Sequence, residues 1–420
     1  MKTINLLYLL AFLLLINSCD DKKNSKDNQK DTTAEVDSLS KTEDDQVSTN
    51  TLLPPEVDSY HNQLANFVAG IPVDSTSELF LHTQNAGWKN YQQYADQTWT
   101  KINNNKLPLI AQWRDEALAE ANTAGGLVFY PFSGADFLHA QVFFPKAEEY
   151  VLIGLEPIGS IPDIPSIPAE RIGSYFQGIR HTLYAIMELS FFRTIAMAQD
   201  FTGKVVQQID GTLPVLLLFI ARTDHEVLFI EQVAINPDGE LVAAEEVEEE
   251  STIYGNKIYF KEKGENGKNK VLYYFQANID NKPYTSRSGY ASQGLDKRSD
   301  LYNYLKKLNI TTTYVKSASY LMHRENFSKI RDVILEQSTY YLQDDSGIPV
   351  RFFDEDQWAL TFYGNYYAPI QLFSIRVQKD LRAIYQKKDE RVRPLPFGIG
   401  YQYQKGTSNL MFAKKKTVSP

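Results

Sequence analysis

The spacing of hydrophobic and polar residues is clearest in residues 124–168, where it predicts a strand, a helix and a second strand. Residues 127–132 form a short apolar run, which is typical of a strand buried on both faces. Residues 134–144 have helical spacing, and residues 150–155 are again wholly apolar. Two such strands joined by one helix predict a βαβ unit with parallel, adjacent strands.

Helix-like and strand-like patterns continue on both sides of this unit. Helical spacing of apolar residues predicts helices at residues 57–118, 168–199, 300–308, 327–342 and 370–386. Strand-like runs occur at residues 226–235, 252–260, 270–277, 311–322, 350–353 and 358–363, and residues 213–221 predict a buried helix or strand. Turn signals such as Asn266-Gly267 join the first three runs, so we expect an antiparallel meander at residues 226–279.

These patterns predict an α/β fold, with a mainly parallel central sheet flanked by helices and an antiparallel β-meander. A two-domain α+β arrangement is the alternative. The polar, aromatic-free sequence after residue 19 cannot bury enough surface to fold, which predicts a tether that ends near Pro54. The predicted segments are a signal peptide (1–18), a lipidated Cys and disordered tether (19–53), an α/β core (54–225), the meander (226–279), a C-terminal α/β part of the same fold (280–403) and a tail (404–420) whose basic residues 414–416 are expected to fray.

The first 19 residues predict export and a lipid anchor. Residues 6–16 are an apolar run that is too short to span a bilayer and is typical of a signal-peptide core. The run ends in Ile16-Asn17-Ser18-Cys19, which resembles the lipobox of bacterial lipoproteins, whose Cys becomes the lipidated first residue. Cys19 is the only cysteine of the chain; an ordinary secretory signal with an incidental Cys is the alternative. The resemblance implies a cell-envelope protein held by acyl chains on Cys19.

Asp20-Asp21, directly after this cysteine, resembles the acidic tract that directs some lipoproteins to the outer cell surface, which implies the outer membrane with possible surface exposure. The formal net charge is −9, from 43 basic and 52 acidic residues. An acidic protein is poorly suited to nucleic acid or to anionic lipid, so the acyl chains should be the sole membrane link. The chain has 26 Tyr and 23 Phe, and tyrosine-rich surfaces suit glycan or peptide ligands.

Polar residues follow both strands of the predicted βαβ unit, where parallel sheets carry their binding sites. Asp136 and His139 are one turn apart on the predicted helix, so the carboxylate can orient the imidazole as a general base. The structural alternative is that Ser133 and Asp136 cap the helix and His139 is a hydrogen-bonded, half-buried side chain. Glu156 offers a second carboxylate for acid–base chemistry, or it solvates a turn together with Asp163. Asp136, His139 and Glu156 are the catalytic candidates.

A second acidic motif, Gln343-Asp344-Asp345-Ser346-Gly347, follows the helix predicted at residues 327–342. Its spacing is not that of an EF-hand loop, and we predict no metal site. A helix C-terminus disfavours carboxylates, so a cation such as Arg351 or Lys316 is expected to compensate them. Because a parallel sheet brings distant strand ends together, we expect Lys316, Asp344 or Asp345 to reach the same cleft. The ligand-binding candidates are Tyr130, Ser133, Lys316, Asp344 and Asp345.

Motifs for common chemistries are absent from the sequence. It contains no H-E-x-x-H, no G-x-S-x-G, no Walker loop and no Rossmann glycine fingerprint, and we predict no cofactor. The stretches YPFSGADFLHAQVFFP, YVLIGLEPIGS, QDDSGIPVRFF and RPLPFGIGY are similar to those of an uncharacterised group of bacterial envelope proteins, a resemblance that implies no activity. We expect a lipid-anchored envelope protein with a binding or structural role; a metal-independent hydrolase of an envelope or extracellular polymer is the alternative.

Overall fold

The computed structural model describes residues 52–184, 211–247, 252–281, 298–387 and 389–416 of the 420-residue chain. Its strands are β1 (Leu127–Tyr130), β2 (Glu149–Gly154), β3 (His225–Ile235), β4 (Leu241–Ala243), β5 (Ile253–Glu262), β6 (Asn269–Gln276), β7 (Ile310–Val315), β8 (Tyr340–Gln343), β9 (Trp358–Gly364), β10 (Val392–Arg393) and β11 (Asn409–Lys415). Its α-helices are α1 (Ser59–Val68), α2 (Phe80–Thr83), α3 (Ala86–Asn105), α4 (Leu107–Ala117), α5 (Ala119–Ala124), α6 (Phe137–Phe143), α7 (Ile172–Tyr184), α8 (Leu213–Arg222), α9 (Arg298–Lys307), α10 (Ser328–Gln337) and α11 (Lys379–Gln386).

All strands of the described ranges belong to one mixed sheet, in the order β10-β9-β11-β8-β7-β1-β2-β6-β5-β3-β4. The five central strands, β8, β7, β1, β2 and β6, run parallel to one another. Antiparallel pairs flank them on both sides, through β5, β3 and β4 on one side and β11 on the other. The fold is therefore broadly α/β. The predicted βαβ unit and the predicted meander are both confirmed, since β1 and β2 pair in parallel and β3 to β6 form the antiparallel flank.

Strand β1 is buried on both faces and divides the core into two hydrophobic clusters. Val128 and Tyr130 belong to one cluster, together with the apolar side chains of α6. Leu127 and Phe129 belong to the other, together with those of α10. Because successive side chains of a strand point to opposite faces, helices cover the sheet on both sides.

The order of the parallel strands reverses between β1 and β7. The connection from β1 through α6 to β2 lies on one face, and the connection from β7 through α10 to β8 lies on the other. Right-handed crossovers that step in opposite directions along a sheet leave on opposite faces. A crevice forms outside the carboxyl ends of the strands at such a switch point, which is the usual place for a ligand in an open α/β sheet.

The start of α6 differs from the prediction. The helix begins at Phe137, not at residue 134, because Phe132 and Gly134 have positive φ angles of 60° and 53° that are not helical. Ser133 does not cap this helix: its hydroxyl group bonds backbone carbonyls instead. Asp136 is the actual N-cap, and its carboxylate accepts the backbone N–H of His139.

The prediction of one helix over residues 327–342 was wrong. Helix α10 ends at Gln337, Ser338 is extended, and Tyr340–Gln343 form β8 between β7 and β11. The apolar spacing of this stretch fits a helix and a short buried strand equally well, and pairing with two neighbouring strands decides for the strand. The acidic motif therefore follows a parallel strand, and the helix-dipole argument does not apply to it.

The tail predicted at residues 404–420 contains a strand, because residues 409–415 form β11 between β8 and β9. The predicted fraying was wrong for residues 414 and 415, which are part of this strand. The partners of this strand lie more than 40 residues earlier in the chain, so no local pattern signals the pairing. Residues 350–352, predicted as part of a strand, form a 3₁₀ turn, and the helix predicted at 370–386 is a 3₁₀ segment followed by α11. The expected two-residue turn at Asn266-Gly267 is a longer loop, closed by the bond from Glu262 N to Lys268 O.

Some predictions fall outside the described residues. These are the signal peptide, Cys19 and the tether, the end of the helix predicted at 168–199, and the last four residues of the chain. Among the described residues, none of the helices combines the length and the apolar character needed to cross a membrane.

Candidate functional site

Four side chains meet at the switch point, and we call them the switch-point cluster: Tyr130, Asp136, His139 and Lys316. Tyr130 is the last residue of β1, Asp136 caps α6, and Lys316 directly follows β7. His139 lies three residues after Asp136, so the first turn of α6 brings the two side chains together. Lys316 comes from a strand 177 residues away from His139, and only the pairing of β1 with β7 brings it here.

The carboxylate of Asp136 is the centre of this cluster. Its Oδ1 lies 2.8 Å from Nδ1 of His139, and its Oδ2 lies 2.7 Å from Nζ of Lys316. The hydroxyl group of Tyr130 donates to Oδ2 at 3.1 Å. Each of the four residues is at most 2% exposed. Such buried charges are stable only when they are paired, and here the ion pair with Lys316 and the bonds from Tyr130 and His139 satisfy the carboxylate.

The contacts of His139 determine which ring nitrogen carries the proton. Nδ1 lies 2.8 Å from the Asp136 carboxylate and 3.2 Å from Nζ of Lys316. An unprotonated Nδ1 would set a lone pair against a carboxylate oxygen at the shorter distance, so the proton belongs on Nδ1. Nε2 is then an acceptor, and it is buried without a hydrogen-bond partner in the structure.

The charge state follows from burial and from neighbouring groups. Burial lowers the pKa of His139 to about 4, with Asp136 opposing this shift and Lys316 adding to it, so the imidazole is neutral at pH 7. Burial alone would raise the pKa of Asp136, but its interactions with His139 and Lys316 outweigh burial and hold this pKa well below its usual range. At neutral pH the cluster therefore contains a carboxylate, a neutral imidazole and the lysine cation.

Lys106 is a member of this region that the sequence analysis missed. It is partly buried at the junction of α3 and α4, and burial and the charge of Lys316 lower its pKa to about 7, with Asp136 opposing. Lys106 occupies the N-cap position of α4, where the helix dipole disfavours a cation. That unfavourable placement is the one sequence signal that could have drawn attention to it.

Ser133 and Glu156, two further predicted site residues, lie beside the cluster but bond elsewhere. The Ser133 hydroxyl group contacts the carbonyl oxygens of Ile153, at 3.1 Å, and Gly134, at 2.9 Å, so its role is to hold the loop. The hydroxyl group of Tyr274 donates to the Glu156 backbone oxygen at 3.0 Å and lies 3.4 Å from its carboxylate.

Glu156 is nevertheless close to the loop that leads into α6. Its Oε1 would lie 3.3 Å from a Cβ added to Gly134, so the two strand ends do converge as expected. Asp163 does not join them: it is exposed, and it caps a 3₁₀ turn by accepting the N–H of Ser166.

Asp344 and Asp345, which we call the acid pair, follow β8 at the same edge of the sheet. The Asp344 carboxylate accepts the backbone N–H groups of Ser317, at 2.9 Å, and Ser346, at 3.0 Å. The Asp345 carboxylate accepts the amide of Asn409 at 3.0 Å and the hydroxyl group of Tyr320. Both acids are buried, so these neutral donors replace water around them.

The pKa values of the acid pair shift upwards. Burial raises the pKa of Asp344, while hydrogen bonds and Lys316 oppose the shift. Burial, followed by the charge of Asp344, raises the pKa of Asp345 to about 7. Lys316, one of the two cations expected to compensate the acids, therefore acts on Asp344 as well as on Asp136.

Backbone strain is concentrated at this edge. Phe132 after β1 and Ser317, Ser319 and Tyr320 after β7 have φ angles between 51° and 60°. Only one other non-glycine residue of the described ranges, Asp224, has a positive φ. Left-handed conformations of this kind cost free energy and are frequent at functional sites, which marks the two loops at the switch point.

Comparisons with known proteins add no assignment: no protein-family model, no curated protein and no solved structure matches the chain. Within the described residues, no group of three or more His, Cys, Asp or Glu side chains is arranged to hold a metal ion. The residues of the site themselves offer a neutral imidazole, a fixed ion pair and a buried carboxylate pair.

Proposed function

We propose that this protein is a lipid-anchored cell-envelope protein that binds a small polar ligand at the switch-point cluster. The observation that carries the proposal is the unpartnered Nε2 of His139, held as an acceptor by the bond from Nδ1 to Asp136. A ligand hydroxyl or N–H group would donate to Nε2. We class the fold as α/β with a mainly parallel centre, because the central strands carry this site.

Energetic cost supports a binding role over a purely structural one. A buried acceptor without a hydrogen bond costs about 1–3 kcal/mol, and a ligand that donates to Nε2 would recover this cost. The ion pair is likewise not needed for stability alone, since apolar side chains of similar volume are often as stabilising as a buried ion pair. Strained loops on both sides of the cluster add a further cost at the same place.

The alternative function is a metal-independent hydrolase of an envelope or extracellular polymer. The Asp136–His139 contact favours it, because an imidazole oriented by a carboxylate is a general base for activating water. Glu156 lies near enough to Gly134 to supply a second carboxylate to such chemistry. Against it, both His139 and Glu156 are at most 1% exposed, and a polymer chain needs an open groove. This burial supports binding of a small ligand over hydrolysis of a polymer.

The proposed location in the cell envelope rests on the resemblance of residues 16–19 to a lipobox and on the single cysteine of the chain. The proposed location is the outer membrane, reached through acyl chains on Cys19, at its inner or its outer face. The net charge of −9 supports this mode of attachment, because an acidic surface gains nothing from anionic lipid.

Two substitutions of His139 test the binding function. Asn at position 139 keeps a donor for Asp136 and removes the Nε2 acceptor, whereas Gln places an acceptor near the position of Nε2. We expect the full chain, purified from an envelope fraction, to carry a bound small molecule in native mass spectrometry. His139→Asn should lose this molecule and His139→Gln should retain part of it. A wild-type chain without ligand, or equal retention in both variants, would contradict the proposal.

The hydrolase alternative needs a separate assay. The full chain is incubated with purified peptidoglycan sacculi and with extracellular polysaccharide, and soluble fragments are measured. Binding without release is the result expected from a binding protein. Release that is lost in both His139 variants would transfer the function to hydrolysis.

Substitution of Cys19 tests the anchor. Cys19→Ala should leave an unprocessed or soluble precursor, because the chain has no other cysteine to accept the lipid. Cell fractionation and labelling with a fatty-acid probe measure this. A mutant that is fully processed and membrane-bound without an acyl label would exclude lipidation at this residue.

A further inference from the structure

A cleft lies apart from the switch-point cluster, on the other side of two intervening strands. It is formed where β9 ends, where α11 ends and in the segment before β11, and it has a volume of about 260 Å³. Strands β11 and β8 separate β9 from β7, so the cleft is roughly 15 Å from the switch point. We call it the tyrosine cleft, after Tyr366, Tyr367 and Tyr385 in its lining.

The hydroxyl groups of Tyr366 and Tyr385 are both bonded within the protein, and the Tyr366 side chain is almost fully buried. The Tyr366 hydroxyl group accepts the backbone N–H of Gln378 at 3.0 Å, and the Tyr385 hydroxyl group donates to the carbonyl oxygen of Tyr363 at 3.0 Å. The two rings lie 6.3 Å apart and are tilted by 49°. Both rings are thus fixed in place before a ligand arrives, which reduces the entropy lost on binding.

Tyr367 is the exposed member of the lining. Its side chain is 72% exposed, which is unusual for so large an aromatic residue. The guanidinium group of Arg382 lies 4.8 Å from the centre of the ring, and its Nε donates to the Tyr367 backbone oxygen. Arg382 holds one face of the ring, which leaves the opposite face as a preformed flat platform.

The polar part of the lining is neutral. Asn365, Gln386 and Gln402 contribute amides, and none of the eight lining residues is charged. Asn365 donates its amide to Gly406 O at 3.0 Å, and Gln402 donates its amide to Ala368 O at 2.8 Å. These bonds fix both side chains and leave their amide oxygens as acceptors.

We propose that the tyrosine cleft binds a neutral saccharide chain. A pyranose ring has an apolar C–H face that stacks on an aromatic ring, and a rim of hydroxyl groups that bonds to amides. Tyr367 supplies the stacking platform and the three amides supply the hydrogen bonds. Tyrosine gives rigid amphipathic contact at low entropic cost, and amide side chains give adaptable hydrogen bonds. The volume lies just below the ~300 Å³ at which drug-sized ligands are held, which suits one or two sugar rings of a longer chain.

The uncharged lining argues against ionic ligands, because a buried or partly buried charge needs a partner of opposite sign. A peptide that binds by adding a strand needs a sheet edge, and none of the lining residues belongs to a strand. The proposal does not depend on the switch-point cluster, since the two sites share no side chain.

Titration of the full chain tests this site. The protein is held in a detergent without a sugar head group, and maltohexaose, cellohexaose, mannohexaose and xylohexaose are added in an isothermal titration. At least one hexasaccharide is expected to bind. Tyr367→Ala should weaken that binding about tenfold or more, whereas Tyr367→Phe, which keeps the ring, should stay within about threefold of the wild type.

Tyr403→Ala is the matched control, because Tyr403 is another exposed tyrosine, at 41%, that does not line the cleft. It should bind like the wild type. Each hexasaccharide is also coupled to a lipid and presented on neutral vesicles. Binding of the soluble sugar assigns a free saccharide chain, and binding of the lipid-linked sugar alone assigns the head group of a glycolipid; either result supports the site.

Three results would overturn the proposal. The first is that no neutral hexasaccharide binds in either form at about 10 mM. The second is that binding is unchanged in Tyr367→Ala, or falls equally in Tyr403→Ala. The third is that uncharged hexapeptides bind at Tyr367 while none of the saccharides does. Because Tyr367 is exposed, its substitution should not unfold the chain, and circular dichroism of each variant checks this.

Discussion

The switch-point cluster and the acid pair lie at the same edge of the sheet, but they neutralise buried carboxylates in different ways. Asp136 keeps its charge through a cation, Lys316, and through hydrogen bonds from His139 and Tyr130. Asp345 sits beside a second carboxylate and is bonded by neutral donors, so its pKa rises to about 7 through burial and the charge of Asp344. The first arrangement keeps Asp136 ionised beside a cation, whereas the second favours protonation of Asp345.

This difference gives the two regions opposite responses to pH. The folded-state pKa of His139, about 4, is below its unfolded value near 6.5, so the switch-point cluster loses stability as pH falls between these values. The depressed pKa of Asp136 adds to the loss at still lower pH. The folded-state pKa of Asp345, about 7, is above its unfolded value near 3.9, so the acid pair gains stability as pH falls from 7 towards 4.

The largest effect is expected at Lys316. Lys316→Met should lower the free energy of unfolding by about 3–5 kcal/mol, because it leaves the Asp136 carboxylate buried without a cation. The double variant Asp136→Asn with Lys316→Met should recover most of this loss, since Asn still caps α6 and no unpaired charge remains. Urea unfolding at pH 7 measures both.

A double variant that is as unstable as the single one would contradict the role of Lys316 as the cation that compensates Asp136. Packing of the lysine side chain, and not its charge, would then be the source of the loss. If the ion pair serves ligand binding, the double variant should recover stability but lose the bound small molecule.

A smaller effect is expected at Asp345. Asp345→Asn removes a carboxylate that is costly to ionise. The free energy of unfolding of the variant, relative to that of the wild type, should therefore increase by about 2 kcal/mol as pH rises from 5 to 8. The pH-dependent difference is used because it cancels any constant loss of the bond with Tyr320. Unfolding curves at the two pH values give it directly. A relative stability that does not change between pH 5 and pH 8 would show that Asp345 is already ionised at pH 5, like Asp136.

The smallest effect is expected at Ser133. Ser133→Ala should lower the free energy of unfolding by about 1 kcal/mol or less. The backbone N–H of Ser133 still donates to Ile153 O after the hydroxyl group is removed, so this oxygen keeps a hydrogen-bond donor. The variant should also retain the bound small molecule, as the hydroxyl group does not contact the cluster. Loss of ligand from a folded Ser133→Ala chain would add this residue to the site.

Local patterns were sufficient for the parts of the fold whose partners are close in sequence. The βαβ unit, the meander and the contact of Asp136 with His139 follow from runs of a few residues and from helical spacing. The approach of Lys316 was also expected, because parallel strands align their carboxyl ends.

Long-range pairing limited the rest. Strands β8 and β11 were missed because β8 is four residues long and continues a helical pattern, and β11 pairs with strands far earlier in the chain. Lys106 was missed because the sequence around a lysine between two helices does not indicate which charged groups lie near it in the folded chain. The acid pair was identified by its residues but assigned to the wrong element, which changed the expected source of its stability.

The protonation state of the His139 ring decides whether Nε2 is available to accept a hydrogen bond from a ligand. ¹⁵N chemical shifts of its two ring nitrogens are measured in the full chain between pH 4 and pH 8, with His139→Gln used to assign the signals among six histidines. At pH 7 we expect a neutral ring with its proton on Nδ1 and an unprotonated Nε2, and we expect the ring to titrate with a midpoint at about pH 4. An imidazolium at pH 7, or a neutral ring with its proton on Nε2, would contradict this expectation.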